Sequence, residues 1–139
     1  MAEYLREIMT QKPVTLQTSD TIVAAARSMR DANIGDVVVL ENGQVCGILT
    51  DRDIVVRALA EGRDPARTTV GDICSRELTT LSPQDTIGNA VAVMRDKAIR
   101  RLPVVAEGRP VGIVSLGDLA LERDPQSALG AISAAPPNL

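Results

Sequence analysis

The feature that most restricts the fold of this chain is an internal repeat. Shifting the sequence by 65 positions aligns residues 8–53 with residues 73–118 without a gap. The tripeptide DTI, for example, occurs at 20–22 and again at 85–87. Other residues that recur at this spacing are MRD at 29–31 and 94–96, and Gly47, Ile48 and Asp53, which align with Gly112, Ile113 and Asp118. This agreement indicates the duplication of a unit of roughly 55 to 60 residues.

The first half of each copy predicts a short strand followed by a helix. PVTLQ at 13–17 and ELTTLS at 77–82 are the β segments. Ser19 in the first copy and Ser82 in the second, with the aspartates that follow them, are predicted to begin the helices. Apolar residues at helical spacing are Ile22, Ala25, Ala26 and Met29 in the first copy, and Ile87, Ala90, Val91 and Met94 in the second.

The second half of each copy predicts a β-hairpin and a closing helix. Residues 36–50 and 101–115 each contain two apolar strands joined by a glycine-bearing turn, and helices follow at 51–62 and 116–124. Each copy is therefore β-α-β-β-α, and the predicted fold class is α/β. Because one copy alone leaves a sheet face and a helix stripe exposed, we expect the two copies to pack face to face with pseudo-twofold symmetry.

The repeat also predicts the domain boundaries. The first repeat is placed at 6–64 and the second at 71–125. The polar, proline-containing segment 62–73 is predicted to connect them. Helical periodicity is lost after Asp124, so residues 126–139 are predicted to be a loosely held C-terminal tail.

Composition excludes two classes of partner. The 139 residues carry a net charge of −3 and one aromatic side chain, Tyr4. The chain lacks the basic face and the stacking rings of nucleic-acid-binding proteins, so we expect no nucleic acid partner. No apolar run approaches the roughly 20 residues of a membrane-spanning helix, and the charged first residues are unlike a secretory signal. We therefore expect no membrane partner and a cytoplasmic location.

Catalysis is not expected either. The chain contains no histidine, which is the commonest general base and metal ligand. Cys46 and Cys74 stand apart among apolar neighbours, as buried thiols do, and do not have the spacing of a zinc site or a disulfide framework. No serine or cysteine is paired with a base. The sequence predicts no catalytic residue, no metal and no required cofactor.

The helix-opening motif carries a family resemblance. It reads GILTDRD at 47–53 and GIVSLGD at 112–118, and RRLPVV at 100–105 enters the middle strand of the second copy. Together with the duplicated β-α-β-β-α unit, these residues resemble the CBS domain pair over about residues 6–125. The resemblance is greatest to small bacterial proteins that consist of one CBS pair without a catalytic domain. It implies a regulatory, ligand-sensing module.

The resemblance also implies a site for an adenosyl ligand, such as AMP, ADP, ATP or S-adenosylmethionine, in the cleft between the repeats. Asp53 and Asp118 are expected to accept hydrogen bonds from ribose hydroxyls, since an ionised carboxylate suits a vicinal diol. Thr50 and Ser115 are expected to donate to the ribose or the first phosphate, beside a helix N-terminus that favours anions. The other candidate contacts are the backbone of Thr15, Val37, Val38, Thr80, Leu102 and Pro103 around the adenine, and Arg52, Arg100 and Arg101 near the phosphates.

The threonine or serine and the aspartate also have a purely structural interpretation. Thr50 with Asp53, and Ser115 with Asp118, form the pattern of a helix capping box. The box favours the longer Glu or Gln at the fourth position, and both copies have Asp there, which favours ligand contact. The sequence leaves both interpretations open.

The two copies differ in charge near the expected phosphates. Gly35 and Asp36 stand in the first copy where the second has Arg100 and Arg101. Because an acid repels phosphate, we expect one occupied site or a less anionic ligand. Adjacent arginines ahead of a strand point to opposite sides, so we expect at most one to face the cleft, and solvated arginines are the alternative. Arg52 either compensates in the first copy or forms a surface salt bridge.

Two functions from different classes therefore remain. The first is a non-catalytic regulatory module that binds an adenosyl ligand and biases packing against an effector protein. The second is a structural or interaction module with no ligand. Both include a homodimer through the repeat helices, whose alanine- and valine-rich faces, AAARSM and NAVAVM, permit close approach.

Overall fold

Each sequence repeat builds a small sheet packed by helices in the computed structural model, which describes residues 2–135. These residues form two compact units. The first unit is 13–78, and the second unit combines 2–12 with 79–135. In chain order the elements are a 3-10 turn at Leu5–Glu7, β1 (Thr10–Gln11), β2 (Thr15–Gln17), α1 (Ile22–Ala32), β3 (Asp36–Glu41), β4 (Gln44–Thr50), α2 (Asp51–Asp53), a π-helix at Ile54–Leu59, α3 (Val70–Ile73), α4 (Ile87–Lys97), β5 (Arg101–Ala106), β6 (Arg109–Ser115), α5 (Leu116–Arg123) and α6 (Ala128–Ala134). The predicted α/β class is confirmed.

The first unit contains a three-stranded sheet of order β2-β3-β4. β2 runs parallel to β3, and β3 pairs antiparallel with β4, with Asp36 opposite Thr50. The hairpin turns at Asn42 and Gly43, whose φ angles of 53° and 79° match the two-residue turns of hairpins. An aliphatic core lies on one face of this sheet. Its buried members are Leu16, Ile22, Ala25, Met29, Val37, Val39, Leu49, Ala58, Val70, Ile73 and Cys74.

The second unit contains a three-stranded sheet of order β1-β6-β5. β1 and β5 both pair antiparallel with β6, and Arg101 lies opposite Ser115. The hairpin turns at Glu107 and Gly108, with φ angles of 54° and 78°, so the turn geometry repeats as the sequence does. The buried core residues of this unit are Leu5, Leu81, Ile87, Ala90, Met94, Leu102, Val104, Val114 and Leu119.

The segment that opens each sequence repeat folds into the compact unit of the other repeat. Val70, which starts α3, is fully buried in the core of the first unit, and Ser75 bridges to β4 of that unit. At the matching positions, Leu5 is fully buried in the second unit and Thr10 pairs with β6. The predicted domain boundaries follow the repeat in the sequence and not these compact units, because the partners of each opening segment are distant in the chain.

The two long helices begin at a different residue from the one predicted. Thr21 and Thr86 are the N-caps of α1 and α4, and each hydroxyl accepts from the backbone N–H three residues on, at 3.2 and 3.0 Å. The prediction that Ser19 and Ser82 begin the helices is wrong. The intervening aspartate closes the preceding turn, as where Asp85 accepts from the Ser82 N–H at 2.7 Å.

Two predicted segments between the elements also differ. ELTTLS at 77–82 does not form a strand, although Leu81 forms an isolated parallel bridge with Val104. The predicted connector at 62–73 is not wholly polar surface, since it ends in α3 with Val70 and Ile73 buried. Both differences arise because tertiary packing decides the structure of short segments with weak local signals.

The C-terminal helical segments of the two repeats differ. After α2, the first repeat continues as a π-helix over Ile54–Leu59, with the Ala60 N–H donating to the carbonyl of Val55 at 2.9 Å. The second repeat ends in α5, which is followed by α6 packed against it. Residues 128–134 of the predicted tail therefore form a helix, and residues 136–139 lie outside the described residues.

Candidate functional site

The strand-to-helix corner of the second repeat places the predicted ligand residues at the start of α5. Ser115 is the N-cap, and its hydroxyl accepts from the Asp118 N–H at 3.1 Å. Asp118 Oδ2 accepts from the Ser115 N–H at 2.9 Å. Within residues 2–135 no hydrogen bond or ion pair is made by Asp118 Oδ1. The corner therefore presents one carboxylate oxygen and a hydroxyl proton for a ligand.

The adjacent arginines Arg100 and Arg101 line the same concavity as these two residues. Its volume is about 440 Å³. The residues that line it are Arg100, Arg101, Ser115, Leu116, Gly117, Asp118, Leu129 and Ser133. The expectation that at most one of them faces the cleft between the repeats stays a prediction, since this concavity lies on the second unit. Strand alternation does not apply to the pair, because β5 begins at Arg101 and Arg100 precedes it.

The corresponding corner of the first repeat has the same backbone design. The Thr50 hydroxyl accepts from the Asp53 N–H at 3.0 Å, and Asp53 Oδ2 accepts from the Thr50 N–H at 2.9 Å. In both corners the backbone N–H of the first helical residue donates to a carbonyl in the loop that precedes the hairpin of the same repeat. The Asp51 N–H donates to the carbonyl of Gly35 at 2.9 Å, and the Leu116 N–H to that of Arg100 at 2.8 Å.

At two positions the first corner has an acidic side chain where the second has arginine or leucine. Asp36 pairs with Thr50 in the sheet, and the Asp51 carboxylate lies beside Gly35. The second carboxylate oxygen of Asp53 is also engaged, since Oδ1 lies 3.6 Å from Arg57 Nε. The first corner is therefore electrostatically poor for a phosphate.

The capping-box interpretation is correct for both corners, because the reciprocal hydrogen bonds are formed. A third box, Thr69 with Asp72, starts α3, and the backbone hydrogen bond at Thr69 lowers the pKa of the Asp72 carboxyl. Aspartate at the fourth position thus closes the box without difficulty, and its presence does not by itself indicate a ligand. What distinguishes the second corner is the arginine pair and the open Asp118 oxygen.

The residues predicted to flank the adenine are mostly buried in the sheets. Val37 and Leu102 are fully buried core residues, while Val38 and Pro103 are buried on the opposite strand face, as β alternation requires. Thr15 pairs with Val38 in the first sheet. Several backbone groups here are already bonded: the Val38 N–H donates to Val14 at 3.1 Å, and the Pro103 carbonyl accepts from the residue after Thr80, Leu81, at 3.1 Å. Their role toward adenine stays a prediction, as does that of the exposed Arg52.

Sequence reasoning missed the contribution of α6 to the concavity. Leu129 and Ser133 line it although they lie beyond the repeat. One sequence signal for this helix was available. Ser127 is its N-cap, and its hydroxyl accepts from the Gly130 N–H at 3.0 Å.

The first unit contains two thiols. Cys74 is buried and Cys46 is half-buried. Burial raises the pKa of both thiols, which keeps them protonated near neutral pH. Among residues 2–135 no group of three or more histidine, cysteine, aspartate or glutamate side chains is placed to hold a metal ion.

Comparison with known proteins identifies the fold and the repeat. The family model described as "CBS domain" matches residues 5–59 and again 70–123. The chain belongs to the CBS domain family. The resemblance predicted from the duplicated motif is thereby confirmed, and the two matched regions form a tandem CBS pair.

Individual relatives agree with this assignment. The CBS domain-containing protein YhcV of Bacillus subtilis is 39% identical over 126 residues, which is 91% of this chain and 89% of YhcV. Some other curated relatives are longer, and the chain spans 59% and 52% of two of them. A crystal structure of Hypoxic Response Protein I with two coordinated zinc ions is similar with a TM-score of 0.77 and 34% identity, covering 88% of this chain and 99% of that one.

One similar structure contains adenosyl ligands. The CBS domain pair of protein MJ0100, in complex with 5′-methylthioadenosine and S-adenosyl-L-methionine, has a TM-score of 0.77 and 25% identity, and the match covers 89% of this chain and 98% of that one.

Across the part of the chain that the structure describes, no helix has the length and apolar character to cross a membrane.

Proposed function

We propose that this CBS pair is a non-catalytic regulatory module that binds an adenosyl ligand at the strand-to-helix corner of the second repeat. The observation that carries the proposal is that Arg100, Arg101, Ser115 and Asp118 line one concavity of about 440 Å³. These four side chains offer two guanidinium groups, one hydroxyl and one carboxylate within a single surface.

The chemistry of the corner matches the parts of an adenosyl nucleotide. The free Oδ1 of Asp118 accepts a hydrogen bond from a ribose hydroxyl. The Ser115 hydroxyl already accepts from the Asp118 N–H, so its own proton is available to the ribose or the first phosphate. The guanidinium groups of Arg100 and Arg101 supply charge-assisted hydrogen bonds to phosphate oxygens. The adenosyl complexes of the MJ0100 pair support this class of ligand.

The charge difference between the repeats favours one site over two. The Arg57 guanidinium occupies the neighbourhood of Asp53 Oδ1, and Asp36 and Asp51 lie beside Thr50. An anionic ligand entering there would meet the carboxylates of Asp36 and Asp51, while the Arg57 guanidinium is already paired with Asp53. AMP, ADP or ATP is therefore proposed to occupy the second corner alone.

The site shares two lining residues with an apolar groove on the same unit. This groove is a surface through which ligand binding can change the contact with another protein. This groove, of about 540 Å³, lies between α4 and α5. Its lining residues are Val91, Met94, Arg95, Ala98, Ile99, Arg100, Leu116, Leu119, Ala120 and Arg123. Since Arg100 and Leu116 line both surfaces, a ligand that reorients either side chain alters the groove.

A second candidate function, a ligand-free interaction module, is favoured by exposed apolar helical residues. Val55, Val56 and Leu59 of the first repeat are 53, 43 and 65% exposed, and Val91 and Leu116 of the groove are 37 and 40% exposed. Apolar side chains on α4 and on the closing helices of both repeats are suited to a second copy of the chain, so we propose a homodimer through these helices. In the regulatory function, an effector protein is proposed to contact the module and to respond to ligand binding.

The homodimer has a direct test. Sedimentation velocity on the wild type and Val91→Glu is expected to show a dimer and a monomer respectively, because a buried unpaired carboxylate opposes association. Ile132→Glu places the same charge on a 71% exposed residue outside the groove and is the control. A dimeric Val91→Glu protein would exclude this groove from the interface.

The ligand proposal is tested by calorimetric titration of AMP, ADP, ATP and S-adenosylmethionine into wild type, Asp118→Asn and Asp53→Asn. Asparagine retains a capping oxygen and removes the charge. Asp118→Asn is expected to weaken binding roughly tenfold or more, and Asp53→Asn to leave it unchanged. Asp72→Asn, in the third capping box, controls for any general effect on folding. Failure of all four compounds to bind the wild type at millimolar concentration would leave the interaction module as the function.

A further inference from the structure

We infer that α6 forms a wall of the ligand site and contacts the bound nucleoside through Leu129 and Ser133. This inference rests on the proposed function. The two residues line the same concavity as Arg100, Arg101, Ser115 and Asp118, although α6 lies beyond residue 123, where the match to the CBS domain ends. The second site is thus built partly from chain outside the repeat.

A glycine lies at the point where α6 comes close to α5. A Cβ atom at Gly117 would lie 2.6 Å from Ser133 Oγ and 3.2 Å from Ser133 Cβ, so any other residue there requires the Ser133 side chain to rotate or move by a few tenths of an ångström. The corresponding residue of the first repeat is Arg52. The duplication therefore diverges at the residue where α6 approaches α5.

The turn before α6 fixes its orientation. The Ser127 hydroxyl donates to the carbonyl of Asp124 at 2.7 Å, and its oxygen accepts from the Gly130 N–H at 3.0 Å. A Cβ atom at Gly130 would lie 2.6 Å from the same Asp124 carbonyl oxygen, so the helix packs directly on the turn. Leu129 and Ser133, one turn apart, then lie on the side of α6 that lines the concavity.

The chemistry of this wall complements that of the corner. Leu116 and Leu129 are 40 and 41% exposed and both line the concavity, which gives it an aliphatic surface. Aliphatic side chains of this kind pack on the flat, weakly polar face of a purine or a ribose. The guanidinium groups bind the phosphates and the carboxylate binds the ribose hydroxyls, so α6 adds an apolar contact to the nucleoside.

The test is a calorimetric titration of AMP, ADP, ATP and S-adenosylmethionine into wild type, Leu129→Ala, Ser133→Ala and Ile132→Ala. Ile132 lies on the same helix, is 71% exposed and does not line the concavity, so it is the matched control. Leu129→Ala is expected to weaken binding roughly tenfold, Ser133→Ala roughly threefold, and Ile132→Ala not at all. Thermal melting without ligand establishes that each variant is folded, and hydrogen exchange at 128–134 is expected to slow when the ligand is added to the wild type.

The possible failures are distinguishable. Binding to the wild type with unchanged affinity in Leu129→Ala and Ser133→Ala would overturn the role of α6 and leave the proposed function intact. Tighter binding in these variants would also overturn it, since α6 would then compete with the ligand. Failure of all four compounds to bind the wild type would overturn both.

Discussion

Asp53 Oδ1 lies 3.6 Å from the Nε atom of Arg57, one helical turn later in the chain. The same two positions in the second repeat hold Asp118 and Glu122. Glu122 cannot neutralise Asp118, and its Oε1 atom instead accepts from the Ala2 N–H at 2.6 Å. Duplication has therefore kept the carboxylate at the start of both helices and changed its environment. One carboxylate is paired with a cation, and the other has an oxygen open for a ligand.

Replacing Arg57 with glutamine is expected to leave the affinity for adenosyl ligands unchanged, because the ligand is assigned to the other repeat. The free energy of unfolding should fall by less than about 1 kcal/mol, since Arg57 is half exposed and solvent screens its ion pair. Urea denaturation and calorimetric titration measure the two quantities. A loss of binding in Arg57→Gln would show that the first corner contributes to the site.

Arg100→Ala is expected to weaken binding more as the number of phosphates on the ligand rises. Affinity for ATP should fall roughly tenfold, and that for S-adenosylmethionine, which has no phosphate, less than about twofold. Arg52→Ala, at an exposed position of the first corner, serves as the control and should have no effect. Equal losses for ATP and S-adenosylmethionine would contradict the assignment of Arg100 to phosphate.

Leu5→Ala tests the burial of the opening segment of the chain. Leu5 is fully buried in the core of the second unit, so the substitution should lower the free energy of unfolding by about 2–5 kcal/mol. Ile132→Ala removes carbon from a residue that is 71% exposed, and should cost less than about 0.5 kcal/mol. Guanidinium denaturation of both variants gives the comparison, and equal effects would contradict the position of Leu5.

The two thiols should react slowly and in a fixed order. Burial raises the pKa of both Cys46 and Cys74, so less thiolate is present at pH 7 than in a free cysteine. Alkylation by iodoacetamide should accelerate as the pH rises toward these pKa values, with half-buried Cys46 modified before buried Cys74. Mass spectrometry of the time course measures both rates at pH 7 and 9. Faster modification of Cys74 in the native state would contradict its burial.

The raised pKa values of the two thiols also predict how the free energy of unfolding changes with pH. Each protonated thiol is favoured in the folded state, so its contribution is present below the pKa of the unfolded chain. That contribution is lost as the pH rises through the higher pKa of the folded state. Alkaline destabilisation should therefore be smaller in Cys74→Ala than in wild type when unfolding is compared between pH 8 and pH 10.

The repeat in the sequence was sufficient to predict the elements that depend on local pattern. α1 and α4 follow from apolar residues at helical spacing, and the two hairpins follow from glycine-bearing turns. The serine or threonine and aspartate at each corner were also found this way, because a capping box is a local structure. Their geometry is the same at Thr50 and Ser115, as the identical spacing predicts.

Features that depend on contacts between residues far apart in the chain could not be predicted from the local sequence pattern. Leu5 and Val70 are buried by residues far away in the chain, and nothing in their neighbours indicates which repeat they join. The shared orientation of Arg100 and Arg101 depends on where β5 begins, a boundary that propensity does not fix. α6 is short and weakly patterned, and its role becomes visible only where Ser133 meets Gly117.

The measurement that tests the central claim most directly is a titration of the ¹⁵N-labelled protein with ATP, followed by two-dimensional ¹H–¹⁵N NMR. The account predicts saturable shifts of the backbone amides of Arg100, Arg101 and 115–118, with residues 50–53 unchanged. Saturable shifts at 50–53 with none at 115–118, or no shifts at millimolar ATP, would contradict the assignment of the ligand to the second repeat.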